Sequence, residues 1–135
     1  MTMMVNKVFV NEAGLLEIYV CGDQTEATVR EMGEKLGYYI IQLRSNGKQV
    51  LVLDNLMGMG ETTSEARREV ARLAKTLDFD RCAMVGNGSA PMRYGTNLML
   101  RAIGKANVRY FGNLESAVKW LTYGSLTKPK HSRAT

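Results

Sequence analysis

Apolar residues follow two rhythms along this chain. Five short apolar runs read as strands: "VNKVFV" (5–10), "LLEIYVCG" (15–22), "VLVL" (50–53), "RCAMVG" (81–86) and "VRYF" (108–111). Between and after them, apolar positions recur every three or four residues, the spacing of an amphipathic helix. Met32, Leu36, Tyr39, Ile40 and Leu43 mark the inner face of a first helix. Ala66, Val70, Leu73 and Leu77 mark that of a second, running from about Thr62 to Leu77. Leu98, Met99, Ala102, Ile103 and Ala106 mark a third, and Leu114, Ala117, Trp120 and Leu121 a fourth.

Turn and cap residues punctuate this pattern. "NEAG" (11–14) is a tight turn in which Gly14 is free to take positive φ, so the first two strands pair as an antiparallel hairpin. Asp23 and Glu26 have capping-box spacing at the start of the first helix, and "SNG" (45–47) supplies a left-handed stop. Gly33 and Gly37 lie inside that helix and leave room for another element to approach. Thr62 and Glu65 repeat the capping box, Pro91 suits a first helical turn, and Asn113 caps the last helix. The order β-β-α-β-α-β-α-β-α predicts an α/β fold: a mixed, mostly parallel five-stranded sheet with four helices. Residues 1–122 form one domain in this reading, and 123–135 a basic, flexible tail.

At 135 residues and 45% apolar, the chain can bury a single core. It has no apolar run of the roughly 20 residues that span a bilayer, and its start lacks a secretory pattern, so the expected compartment is the cytoplasm. Cys21 and Cys82 sit in apolar runs and are expected to be free and buried. The net charge of +5 is uneven. Residues 1–80 carry nine Lys/Arg against twelve Asp/Glu, whereas 81–135 carry nine against the single Glu115. The C-terminal part therefore offers a basic surface, whose simplest role is solvation.

Candidate chemistry narrows quickly. The single histidine, His131, lies in the expected tail, which leaves no base for a Ser-His or Cys-His arrangement and no His/Cys metal site. "GMGETT" (58–63) has two glycines of a dinucleotide fingerprint, but Thr63 occupies the third position and the loop follows the third strand. No Gly-Lys-Ser/Thr loop is present, and no cofactor or metal is implied. Asp54 ends a central strand, where open α/β sheets place their sites. Asn55–Glu61 reads as a loop carrying Leu56, Met57 and Met59, apolar side chains that either fold back or offer a docking patch. Thr62, Thr63 and Ser64 stand at a helix start that favours negative charge, which makes Thr63 and Ser64 the phosphorylation candidates. Asn87, Ser89 and Arg93 form a second candidate loop for an anion. Arg93, Arg101 and Lys105 recur at multiples of four, but no aromatic platform interleaves with them, which weakens a nucleic-acid reading.

From Val50 onward the chain resembles a known family. Arg81, Ala83, Val85 and Gly86 match an R-x-A-x-V-G strand. Arg109, Phe111, Glu115, Ala117, Trp120 and Leu121 match a terminal R-x-F strand and E-x-A-x-x-W-L helix. Together these resemble the SpoIIAA-like (STAS/SEC14) domain family over most of residues 48–122. The resemblance implies a STAS-type fold and a regulatory module that binds a protein partner. Relatives of this kind switch partners when a serine at the start of the second helix is phosphorylated, within a motif resembling Asp-Ser-Gly. This chain reads Gly60-Glu61-Thr62-Thr63-Ser64-Glu65 there, a match of position only. The leading expectation is a non-enzymatic binding module that uses Asp54–Ser64 and Gly86–Arg93 to hold a protein partner or small anion, with homodimerisation left open. The alternatives are an enzyme using Asp54 and a nucleic-acid binder using the basic C-terminal part.

Overall fold

The computed structural model describes residues 5–88, 104 and 107–127. Its strands are β1 (Lys7–Val10), β2 (Leu16–Gln24), β3 (Leu51–Thr62), β4 (Arg81–Val85) and β5 (Val108–Phe111). Its helices are α1 (Glu26–Ser45), α2 (Ser64–Thr76) and α3 (Leu114–Thr127). The expected helix after Pro91 lies outside the described residues, so three of the four expected helices are described. The sheet order is β1-β2-β3-β4-β5, with β1 antiparallel to β2 and the other pairs parallel.

This strand order dictates the layers. β2→α1→β3 and β3→α2→β4 step across the sheet in the same direction, and right-handed crossovers then place α1 and α2 on one face. α3 follows the last strand and covers the other face. Alternation along the strands feeds both layers. Leu16, Ile18, Val20, Val52 and Cys82 turn toward α1. Leu53, Ala83 and Val85 turn toward Ala117 and Leu121 of α3.

The hairpin forms as expected. The Asn11 side-chain oxygen accepts from Ala13 N at 2.9 Å and Leu15 N at 3.0 Å, and Gly14 takes φ +84°. Gly47 takes φ +70° beyond the end of α1. Asn113 accepts from Ser116 N at 2.8 Å at the start of α3. That helix runs on to Thr127, past Tyr123 where the tail was expected to begin.

Four local expectations are corrected. Asp23 does not cap α1: β2 continues to Gln24, and the cap is Thr25, in a reciprocal box with Thr28. The cap of α2 is Thr63, whose hydroxyl accepts from Ala66 N at 3.0 Å, and not Thr62 with Glu65. Asn55–Glu61 is not a loop but the second half of β3, paired with β2. Val70 and Leu114, expected inside, are 48% and 43% exposed.

Gly33 and Gly37 separate into different roles. A Cβ on Gly33 would lie 2.6 Å from Leu73 Cδ2, so this glycine lets α2 rest on α1. A Cβ on Gly37 would meet nothing within 4 Å. Gly37→Ala should therefore stabilise the fold by about 1 kcal/mol through helix propensity. Gly33→Val should destabilise it by about 1–3 kcal/mol through overpacking. Urea unfolding of the two variants beside the wild type measures both.

Candidate functional site

β3 is twelve residues long and β2 nine; Leu51 precedes the first pair, Leu16 with Val52, and the two further residues are absorbed in two bulges. Tyr19 pairs with Asn55 but Cys21 with Gly58; Gly22 pairs with Met59 but Gln24 with Thr62. Each extra residue reverses which face the following side chains take. Asp54, Leu56, Met59 and Thr62 consequently all line the α1/α2 side, despite their uneven spacing. The glycines of "GMG" belong to this pairing. A Cβ on Gly60 would collide with Asp23 Oδ1, which approaches from β2 to accept from Glu61 N at 2.8 Å. Gly60 is thus a point of close strand approach and no phosphate cradle.

α2 rests on α1 and scarcely touches the sheet. Between them lies a cavity of about 360 Å³. The described residues around it are aliphatic or Met from β2, β3, β4, α1 and α2, with Phe79 and Cys82. Four polar or charged side chains join them: Gln24, Asp54, Thr62 and Arg67. Three of these have partners. Gln24 is 2% exposed and holds Asn6, Thr28 and the carbonyls of Cys21 and Gly22 through its amide. Arg67 Nη1 donates to Thr62 O at 2.6 Å, and Thr62 Oγ1 lies 3.7 Å from Met59 Sδ.

Asp54 is the exception. Its Oδ1 is buried with no hydrogen-bond partner among the described residues, and the residue lines the cavity. Removal from water disfavours the carboxylate, so burial pushes the Asp54 pKa up to about 7. Burial, and secondarily the charge of Asp54, pushes the neighbouring Cys82 thiol well above its usual range. Cys82 is therefore an unreactive core thiol, and both cysteines are free, with Cys21 only partly buried. On α2, the guanidinium of Arg72 binds the buried Glu69 and, with the charge of Arg30 on α1, holds its carboxyl below the usual range.

Met59 and Thr62 line the cavity with Asp54, whereas the described candidates Met57, Thr63, Ser64 and Asn87 do not. Met57 is 42% exposed and sits one position out of phase with Leu56, away from the cavity. Its carbonyl accepts from Asn87 Nδ2 at 3.4 Å. Thr63 and Ser64 are exposed at the start of α2, with Ser64 Oγ 3.4 Å from Glu65 Oε1. Ser89 and Arg93 lie outside the described residues. The sequence singles out Asp54 by its place at the end of a strand but does not show the cavity, because neither the bulges nor the outward set of α2 leaves a mark in periodicity. Nor does it single out Gln24 and Arg67, which line the cavity and belong to no motif.

The SpoIIAA-like family matches residues 15–122. The chain belongs to the SpoIIAA-like family. Among solved structures it is similar to an uncharacterised protein from Shewanella loihica PV-4 with a SpoIIAA-like fold. That likeness has 15% identity and a TM-score of 0.68, and covers 90% of this chain and 97% of the other. It is also similar to the anti-sigma factor antagonist SpoIIAA in its unphosphorylated form, at 14% identity and a TM-score of 0.55, covering 89% and 99%. At these identities the likeness is one of fold. A search of curated proteins finds no match. The residues that mark the family are structural here: Ala83, Val85, Ala117 and Leu121 are fully buried, and the Arg81 guanidinium lies 4.9 Å from the centre of the Trp120 ring. No helix among the described residues is long and apolar enough to cross a membrane, and no group of three or more His, Cys, Asp or Glu there is placed to hold a metal.

The raised pKa of Asp54 has a sign that can be checked. The folded state holds a proton that the unfolded chain loses near 3.8, so this stability is fully present below that pH and is lost as pH rises to about 7. Wild type should therefore lose about 2–3 kcal/mol relative to Asp54→Asn between about pH 5 and pH 8. Parallel denaturation series at the two pH values measure the difference, and equal slopes for the two proteins would contradict it.

Proposed function

We propose that this chain is a non-enzymatic regulatory module that binds a protein partner at the surface formed by the end of β3, the start of α2 and the turn after β4. Membership of the SpoIIAA-like family carries this reading, with the structural likeness to an anti-sigma factor antagonist beside it. Local geometry adds support. Thr63 and Ser64 are exposed together at the first turn of α2, and Met57 and Met59 expose apolar area nearby, 42% and 39% respectively. Methionine is well suited to adaptable contact surfaces. In this reading the compartment is the cytoplasm, and residues 1–122 act as one domain.

Phosphorylation has different consequences at the two hydroxyls. Thr63 already serves α2 as its cap, so modification there replaces a structural bond. Ser64 is the first helical residue and caps nothing; a phosphate there meets the positive end of the helix and changes the surface without unravelling it. Ser64 is therefore the better switch position.

The alternatives receive less support. For a small anion, three of the amides around the start of α2 are engaged: Ala66 N by Thr63, Glu61 N by Asp23 and Thr63 N by Gln24 O. For an enzyme, Asp54 lies in an apolar cavity away from Asn87, whose amide goes to Met57 O. For nucleic acid, the Arg81 and Arg109 guanidiniums lie over Trp120 and Phe111, at 4.9 and 5.6 Å from the ring centres.

Affinity capture with the full chain, comparing wild type, Ser64→Glu and Ser64→Ala, tests the proposal. The expected result is a partner held by wild type and Ser64→Ala and reduced at least about tenfold for Ser64→Glu, a difference of about 1.4 kcal/mol. Identical retention by all three would overturn the switch, and no specific partner for any of them would overturn the binding module. Thr63→Glu is the less informative variant, because it loses a cap as well and should cost about 1 kcal/mol of stability.

A further inference from the structure

We infer that the cavity beneath α2 is a binding site for a small apolar molecule with one hydrogen-bond-donating, cationic head, such as an alkylamine, held by the Asp54 carboxyl. The volume of about 360 Å³ lies at the lower end of the range of small-molecule sites. The walls are nearly all apolar: Ile18, Val52, Leu36 and Met84 are representative. Water gains little from such a space, because an ordered water needs two to four polar partners. An alkyl body removes the same walls from solvent without that requirement.

The head group follows from the polar side chain of the cavity that has no partner among the described residues. Buried carboxylate oxygens in native proteins nearly always have a donor, yet Asp54 Oδ1 has none among them. Gln24 is saturated by its own bonds, and Arg67 donates to Thr62 O. Among the described residues, the charged and titratable groups that line the cavity with Asp54 are few. β4 offers Cys82, kept as a neutral thiol, and α2 offers Arg67. The lining residues of β2, α1 and β5 carry no charge. The cavity thus presents a lone acid and asks for a donor. A carboxylic ligand would set two acids together, whereas an ammonium supplies both donor and opposite charge. Access is open between β3 and α2, where Met59 is 39% and Val70 48% exposed. This site meets the proposed partner surface at Met59, and the two readings are told apart by their variants, Asp54→Asn in the cavity and Ser64→Glu at the start of α2.

A matched series of octylamine, octanol and octanoate, titrated into the full chain by calorimetry at about pH 8 and pH 5.5, tests the inference. Methyl-labelled methionine NMR locates the event. Met32, Met59 and Met84 line the cavity, and Met57 points away from it and serves as the control. Octylamine should bind at least about tenfold tighter than octanol at pH 8, with octanoate weakest. Asp54 is largely protonated at pH 5.5, and the amine preference should shrink there. The cavity methionine signals should move while Met57 stays still. Asp54→Asn keeps the shape of the site; it should lose the amine preference and retain octanol binding within about threefold. Equal affinity for the three compounds, unchanged amine binding by a folded Asp54→Asn, shifts confined to Met57, or no binding at all would each overturn the inference.

Discussion

β2 and β3 are strands of unequal length held in parallel register, nine residues against twelve. Leu51 lies before the first pair, and the remaining surplus goes into two bulges. From that pairing follow the approach of Asp23 to Gly60, the late start of α2 at Ser64 and the common direction of Asp54, Leu56, Met59 and Thr62. The sheet edge of the cavity is drawn by this one interaction. A β3 that ended at Asp54 would turn the following residues into a solvated loop and leave the carboxyl at a wet strand end.

The helical layer completes the enclosure without closing it. Gly33 admits Leu73 and fixes α2 against α1. Thr63 fixes where α2 begins. At the other end Asp80 ties α1 to β3, accepting from Arg44 Nη1 at 2.9 Å and from Val50 N at 2.8 Å. α2 is thereby anchored to α1 and to its flanking strands while its middle stands off the sheet. The result is an acid in an apolar space, which costs stability at neutral pH. Folds retain such costs mainly where the group has a use. The opposite face of the sheet shows the contrasting solution, with Ala83, Val85, Ala117 and Leu121 packed to zero exposure and the buried Asn55 side chain accepting from Met57 N at 3.0 Å.

Much of this architecture was legible in the sequence. Alternation through Leu16, Ile18 and Val20 marks β2, and the Met32-to-Leu43 spacing marks the buried face of α1, because both patterns are local consequences of backbone geometry. Asn113 and "SNG" announced helix ends for the same reason. The second half of β3 was not legible. Gly58 and Gly60 read locally as turn formers, and only pairing with β2 makes them strand residues. Asp23 was misread by the same route: its spacing to Glu26 suits a cap, but its real partner, Glu61 N, is 38 positions away. Val70 fits a helical stripe perfectly well and is still half exposed, since periodicity reports a face and not the distance to the next layer. Asp54 could be singled out from its place at the end of an apolar run; its lack of a partner could not.

The central claim is that Asp54 sits as an uncompensated acid in an apolar cavity beneath α2. Its carboxyl carbon can be followed directly by carbon-13 NMR across a pH titration of the full chain, with Asp54→Asn assigning the signal. The account predicts a midpoint of about 7. A midpoint near the ordinary aspartate value of about 4 would show that the carboxyl is solvated or paired, and would contradict it.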